Sequence, residues 1–394
     1  MSAATTGDAG LIVVGGGIHG AMIALAAAER GLRPLLLERD RFGAATSGNS
    51  LGIVHGGLRH LQTLDLRRHR RSARACAWML SALPGLVEPL ACLMPLYGDG
   101  LRRTAVFRLA LGLHDALRPR SRLPAGRVLD RASVIDRFPA VRRTGLRGGA
   151  LWFDGAFDDP AALVPDVVRR ARAAGAVCLE GVEARGLLTG GGAVRGVRVL
   201  DRDGGAERTL SAPAVVNAAG PWCRAVAAAF DRDHAGLFHP VLAFNLLLDR
   251  EPPASTALAL FPPGGAGPAL FLRACGGRLL AGTRYERWQR GPETPRPGEA
   301  AVAALLDALN AAVPALALTA RDVVRVHAGL LPARAPGSAE PAGRDVLLDH
   351  GRRGGPRGLV SVSGVKLTTA RVVAEQVLDR LFEPDEPRRR GMGP

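Results

Sequence analysis

The stretch Leu11–Arg39, LIVVGGGIHGAMIALAAAERGLRPLLLER, decides the fold. Leu11–Val14 is a short apolar run and reads as a buried strand. Gly15, Gly17 and Gly20 follow in G-x-G-x-x-G register. Small and apolar residues then run at helical spacing to Gly31, a C-cap residue. A second apolar run, Leu35–Leu37, ends on Glu38. Gly15 permits the tight turn, Gly17 lets backbone approach a pyrophosphate, and Gly20 lets helix and strand pack closely. The helix start, with Ile18 and His19, offers free N–H groups and a positive dipole end to an anion. Glu38 stands where a carboxylate binds ribose hydroxyls, and Arg39 follows it. Together these features specify a dinucleotide site on a Rossmann-like α/β unit.

A chain of 394 residues has room for two domains. Its five cysteines, Cys76, Cys92, Cys178, Cys223 and Cys275, are scattered and form no C-x-x-C pair. That spacing suggests neither a zinc site nor a dithiol centre and fits a reducing, cytoplasmic setting. The N-terminus carries no pattern of a secretory leader, and no apolar run reaches the ~18 residues of a membrane span. The net charge is +16, but aromatic residues make up only 4% and no reading motif accompanies the charge, so no nucleic-acid role is expected.

Of the 52 basic residues, one is a lysine, Lys366. In a chain that otherwise uses arginine throughout, its survival marks a place where a compact ammonium and a planar guanidinium are not interchangeable. Leu359–Val362 reads as a strand, Gly364 as a turn and Thr368–Leu378 as a helix. Lys366 therefore lies at a second strand-to-helix junction, suited to stabilising negative charge on a reduced ring.

The segments at 15–62, 158–188, 215–222 (VVNAAGPW), 279–288 (LLAGTRYERW) and 363–371 (SGVKLTTAR) occur in an order that resembles the FAD-dependent glycerol-3-phosphate dehydrogenases. These belong to the D-amino-acid-oxidase-like (DAO) flavoprotein superfamily. The resemblance implies an α/β (α+β two-domain) flavoprotein. Its discontinuous FAD-binding domain would comprise 1–80, 150–235 and 325–384. A substrate domain with an antiparallel sheet and a helical insertion would comprise 81–149 and 236–324, and 385–394 would be a disordered tail. By matched position, Gly15, Gly17, Ile18, His19, Gly20, Glu38 and Arg39 hold the ADP half of FAD. Thr46 and Ser47 contact its middle, and Val182 brings backbone to the adenine. Ala219 and Gly220 pass beneath the cofactor, and Gly364, Val365, Lys366, Leu367 and Thr368 face the flavin. No cysteine lies at 327–336, so the FAD is expected to be noncovalent.

His55, in IVHGGLRH, is the expected base, because imidazole titrates near neutral pH; a structural histidine under the flavin is the alternative. Lys366 completes the catalytic pair. Arg59 and His60 are expected to bind an anionic substrate, together with Asn245, Arg284 and Arg334. Three positions depart from the family pattern. Leu331 replaces a substrate-gripping arginine, with Arg334 as a substitute three residues on. Arg284 replaces an aspartate, and Asn245 replaces a histidine. The expected activity is hydride transfer from the C–OH of a glycerol-3-phosphate-like or hydroxy-acid substrate to FAD, with electrons passing to quinone, another carrier or O2. Oxidation of an amino acid or amine is the enzymatic alternative, and a flavin-binding membrane-associated protein without catalysis is the other. Basic segments 66–74 and 101–122, the latter with Ala105, Val106, Leu109, Leu113 and Leu117 on one helical face, suit peripheral contact with an anionic membrane face. A surface helix packed on the core is the competing reading.

Overall fold

The computed structural model describes residues 9–98, 100, 102–119, 123–262 and 269–382. The expected tail at 385–394, residues 1–8 and parts of the basic segment 101–122 lie outside them. The chain opens with β1 (Leu11–Val14), α1 (Ile18–Glu29) and β2 (Pro34–Leu37). Then come β3 (Ile53–Val54), α2 (Leu66–Ala82), β4 (Glu88–Leu96), α3 (Thr104–Leu117), β5 (Arg127–Leu129), α4 (Arg131–Arg137) and β6 (Gly148–Ala156). The middle holds α5 (Leu163–Ala173), β7 (Val177–Leu179), β8 (Val182–Gly190), β9 (Ala193–Asp201), β10 (Glu207–Ser211), β11 (Val215–Asn217) and α6 (Cys223–Phe230). The last part holds β12 (Pro240–Leu248), β13 (Ala257–Leu260), β14 (Leu270–Cys275), β15 (Arg278–Arg287), α7 (Glu299–Ala312), β16 (Val323–Pro332), β17 (Val346–Asp349), β18 (Leu359–Ser363) and α8 (Ala370–Phe382).

The first sheet runs β17-β18-β11-β1-β2-β7, parallel except for β17. Its strands alternate between two cores, as a period of two requires. Leu11, Val13 and Leu36 enter the core shared with α1, α5 and α8. Ile12, Val14, Leu35 and Leu37 enter the opposite core with β9, β10 and Phe230 of α6. Helix α1 is buried on nearly every side, so its sequence is apolar all round rather than striped. It stops where Gly31 takes φ 77°, a conformation that ends helices.

The second sheet runs β16-β12-β15-β14-β13-β4-β6-β3, with β5 paired to β6. One face packs on α7 through Leu246, Leu272, Ala281 and Leu305. The other carries a smaller core in which Phe107 and Leu111 of α3 meet Cys92, Met94 and Trp152. This sheet differs from the expected partition. The segment 81–149 contains α3 and α4 but also contributes β4 and β5 to the sheet. The boundaries drawn at 150 and 325 fall inside β6 and β16, both paired in this sheet, and β3 joins it from within 1–80. The run Ala91–Leu96 is too short and too uniformly apolar for periodicity to separate strand from helix. Pairing with β6 and β13 settles it as strand.

Candidate active site

Between the two sheets lies an open cleft enclosing about 1610 Å³. Its floor is the glycine turn after β1. Gly15 takes φ 104°, and a Cβ there would lie 2.6 Å from the Ala218 carbonyl oxygen. A Cβ on Gly20 would collide with the Gly15 carbonyl, so side chains at either position would push apart β1, α1 and the turn after β11. The Glu38 carboxylate accepts from the Gly16 N–H at 2.6 Å and the Asp40 N–H at 2.9 Å. Burial nevertheless holds its pKa above the usual carboxylate value, against the pull of those two N–H groups. The Ser47 hydroxyl accepts from the Ile18 N–H at 3.0 Å, so it caps one of the helix-start donors expected to face an anion. Thr46 is bound to the Leu330 backbone in both directions, at 3.0 and 3.1 Å, and clips this loop to β16.

Of the residues expected to hold the cofactor, Gly20, Lys366 and Thr368 do not line the cleft; the others do, from Gly15 through Val182, Ala219 and Gly220 to Leu367. The cleft fits a dinucleotide on its own features. It joins the glycine turn to Glu38 at one end and reaches the β18–α8 loop at the other. His19 at its wall keeps a buried Nε2 without a hydrogen-bond partner, a polar atom that a ligand can satisfy. Burial lowers the pKa of His19, which favours the neutral ring. The Arg39 guanidinium lies 4.1 Å over the Trp222 ring, a stacked lid that sequence reading did not foresee.

Beside the β18–α8 loop, between cleft residues Val365 and Leu367, Lys366 meets His60 although they are 306 residues apart. The Lys366 ammonium donates to the His60 ring at 3.1 Å. Burial, then the Lys366 and Arg59 charges, push His60 down to about 4, so its Nε2 is free to accept. Burial and the Arg59 charge push Lys366 down to about 8. Arg59 itself is exposed and makes no hydrogen bond or ion pair among the described residues. Its charge also reaches Tyr285, a half-buried cleft residue that the sequence reading missed.

His55 does not line the cleft directly. Its ring packs 5.1 Å from Phe271. Phe271 pairs with Gly282, and Gly282 with Asn245, a cleft residue. Residues directly opposite on neighbouring strands share a face, so Phe271, against which His55 packs, shares a face with Asn245 about 10 Å away at two strand spacings. Its Nδ1 is 3.1 Å from Asp154 Oδ2. Asp154, 3% exposed, also accepts from the Gly56 N–H at 2.8 Å and from Trp152 Nε1 at 3.2 Å. Burial raises its pKa, but the His55 bond and charge with these N–H donors outweigh that and hold the carboxyl below its usual range. Asp154 was absent from the sequence reading; its partner lies 99 residues away.

Two expected substrate residues are elsewhere. Arg284 falls between Thr283 and Tyr285, which line the cleft, and is paired in register with Phe244 of the opposite core. Its guanidinium lies 3.6 Å from Glu286. Strand alternation thus turns it away from the cleft. Arg334 is 74% exposed and paired with Glu340 at 3.0 Å. Leu331 does line the cleft, as does Asn245. The Asn245 amide, however, is spent on Asn49 O at 3.2 Å and the Thr283 hydroxyl at 2.7 Å.

Residues 11–380 match the family described as FAD dependent oxidoreductase (DAO). The chain belongs to that family. It is 36% identical over 383 residues to glycerol-3-phosphate dehydrogenase 1 of Mycobacterium tuberculosis (strain ATCC 25618 / H37Rv), covering 94% of this chain and 72% of the relative. It is 31% identical over 395 residues to glycerol-3-phosphate dehydrogenase of Synechocystis sp. (strain ATCC 27184 / PCC 6803 / Kazusa), covering 94% and 69%. Among solved structures it is similar to the glycerol-3-phosphate dehydrogenase from Bacillus halodurans complexed with FAD, with TM-score 0.73 and 26% identity. That match spans 95% of this chain but 64% of the other, so this DAO-family chain covers less than two thirds of that enzyme. Glycine oxidase from Geobacillus kaustophilus, at 20% identity and TM-score 0.68, shares the fold.

Proposed function

We propose that this protein binds FAD noncovalently and oxidises the C–OH of a small phosphorylated or carboxylated substrate, with glycerol 3-phosphate the first candidate. The observation that carries the reading is a cleft that runs from the dinucleotide turn to Val365 and Leu367, on the loop whose Lys366 meets His60 and feels the Arg59 charge. The relatives' glycerol-3-phosphate dehydrogenase names support the same chemistry.

Gly15, Gly17 and Glu38 would hold the ADP half, and Val365 and Leu367 the ring end. FAD, when bound, supplies the hydride acceptor. The chain's part is to place the substrate and remove a proton. Arg59 anchors the substrate's anionic group through its fork of donors. His55 takes the hydroxyl proton on Nε2, because Asp154 holds Nδ1 and fixes the tautomer. With FAD bound as the hydride acceptor, loss of that proton to His55 would leave a carbonyl product. Lys366 supplies positive charge near the reacting end. The electron acceptor is a quinone, another carrier or O2. Among the described residues no helix is long and apolar enough to cross a membrane. The α3 face bearing Val106, Leu109 and Leu113 is exposed, Leu109 by 76%, while Phe107 and Leu111 pack inward. That face, among arginines, suits peripheral contact with anionic lipid.

The test is the flavin absorbance of the purified protein, recorded without oxygen before and after adding glycerol 3-phosphate. Bleaching is the expected result. A flavin band unchanged by glycerol 3-phosphate, hydroxy acids and other phosphate esters alike would sink the C–OH reading.

A further inference from the structure

A second cavity lies beyond the Val365–Lys366 backbone, which borders both it and the cleft. It encloses about 800 Å³ between the start of α2, residues 343–345 and the loop before α8. Arg67, Arg68, Arg71, Arg344 and Lys366 line it against only two carboxylates, Asp65 and Asp345. Those two are already matched: Arg68 pairs with Asp65 at 3.2 Å and Arg71 with Asp345 at 2.6 Å. Arg67 and Arg344 make no ion pair or hydrogen bond among the described residues. The Arg71 Nε is buried without an acceptor. Lys366 donates to a neutral imidazole at 3.1 Å and shares the nearby Asp345 charge with Arg71. Five cations therefore face two carboxylates around this hollow, with a buried guanidinium donor left unmatched. The low pKa of Lys366, to which Arg68 and Arg71 contribute after burial and Arg59, reports the same excess of positive charge.

We propose that this cavity binds a phosphate group. Several guanidinium forks arranged around a hollow match the three terminal oxygens and double charge of a phosphate better than a carboxylate, which one fork saturates. A soluble phosphate ester and the headgroup of an anionic phospholipid both present this chemistry. The second source is open because Leu64, 73% exposed, and Leu66 flank the pocket residue Asp65. Occupancy also acts on the cleft. Asp345 accepts from the Val365 N–H at 2.8 Å while it holds Arg71, so a phosphate drawing on Arg71 pulls on a wall of the cofactor cleft.

The experiment uses the FAD-loaded full chain, so that the cofactor's own phosphate site is filled. Inorganic phosphate is titrated calorimetrically at constant ionic strength into the wild type and the double variant Arg67→Ala/Arg344→Ala. Flavin content and unfolding midpoint without phosphate report that the variant is folded, and Arg67→Lys/Arg344→Lys serves as a charge-preserving control. We expect a site in this cavity besides that at Arg59, and the cavity site alone is weakened at least ~10-fold in the alanine variant and largely kept in the lysine variant. Co-sedimentation with phosphatidylglycerol and phosphatidylcholine vesicles then separates the sources. Phosphatidylglycerol binding that inorganic phosphate displaces and the alanine variant loses identifies the headgroup. Vesicle binding unaffected by either identifies a soluble ester. No phosphate binding to the wild type, or equal binding to the alanine variant, overturns the proposal.

Discussion

The dinucleotide end of the cleft and the cationic end of the site beside it are built by opposite means. The dinucleotide end is nearly all local: turn, helix, strand and acid follow one another within Leu11–Glu38, and backbone does most of the contacting. The cationic end is assembled from side chains hundreds of residues apart, each held by another: His55 by Asp154, Lys366 by His60, the loop before His55 by Arg273. A local site tolerates change anywhere except in its backbone. An assembled site fails when a supporting side chain that touches nothing reactive is removed.

Asp154→Asn is the sharpest way to test that contrast. The amide keeps the shape but not the charge that fixes the His55 tautomer. We expect kcat to fall by about 10²–10⁴ with FAD content unchanged. The low pKa of Asp154 also means that its contribution to stability is complete above the unfolded carboxylate value and is lost as pH falls through the folded one. An Asp154→Asn variant with wild-type kcat and pH profile would reduce the pair to packing. At the other end, Gly20→Val should abolish FAD retention, because any side chain there meets the Gly15 carbonyl. The flavin-to-protein ratio after purification measures it.

Arg273 marks how far support extends. It is 1% exposed, and its guanidinium donates to the carbonyls of Leu51, Phe157 and Ala274 at 2.7–2.9 Å. Arg273→Met leaves these three acceptors unmet and should cost about 3–5 kcal/mol in urea unfolding. A loss below ~1 kcal/mol would show that the loop before His55 holds itself in place.

The same contrast explains what could be read from sequence. β1, α1, β2, β18 and α8 follow from periodicity and turn residues, and most expected cofactor contacts line the cleft. The substrate side was legible only where a family position also faces inward. Asn245 does, whereas Arg284 sits one residue out of phase with Thr283 and Tyr285. Strand parity from the cleft would have chosen Tyr285, but parity needs a known inward residue. Asp154 and Arg273 carried no local mark, since both are defined by partners more than 90 residues away.

Lys366 joins the two ends, and pH separates its role. Its folded pKa of about 8 lies below the ordinary lysine value of 10.5. Between about pH 8 and 10.5 the unfolded chain holds a proton that the folded chain has shed. Stability from this group therefore rises with pH across that window, and its penalty is complete below it. We expect the unfolding midpoint of Lys366→Gln to exceed that of the wild type at pH 7 and the gap to close by pH 10. A constant gap would mean that burial and the Arg59 charge do not perturb the ammonium.

The smallest expected effects are the most discriminating between alignment and geometry. Arg284→Ala and Arg334→Ala remove cations that the sequence alone led one to expect at the substrate. Here one points to the far core beside Glu286 and the other to solvent beside Glu340. Exposed pairs of this kind contribute little, ~0–1 kcal/mol. We expect kcat/KM to change less than about twofold in each, whereas Arg59→Ala should raise KM at least ~10-fold for an anionic substrate. A loss at Arg284 as large as that at Arg59 would require β15 to turn over when substrate binds. It would move the substrate from the Arg59–Lys366 end toward the Gly282–Tyr285 segment.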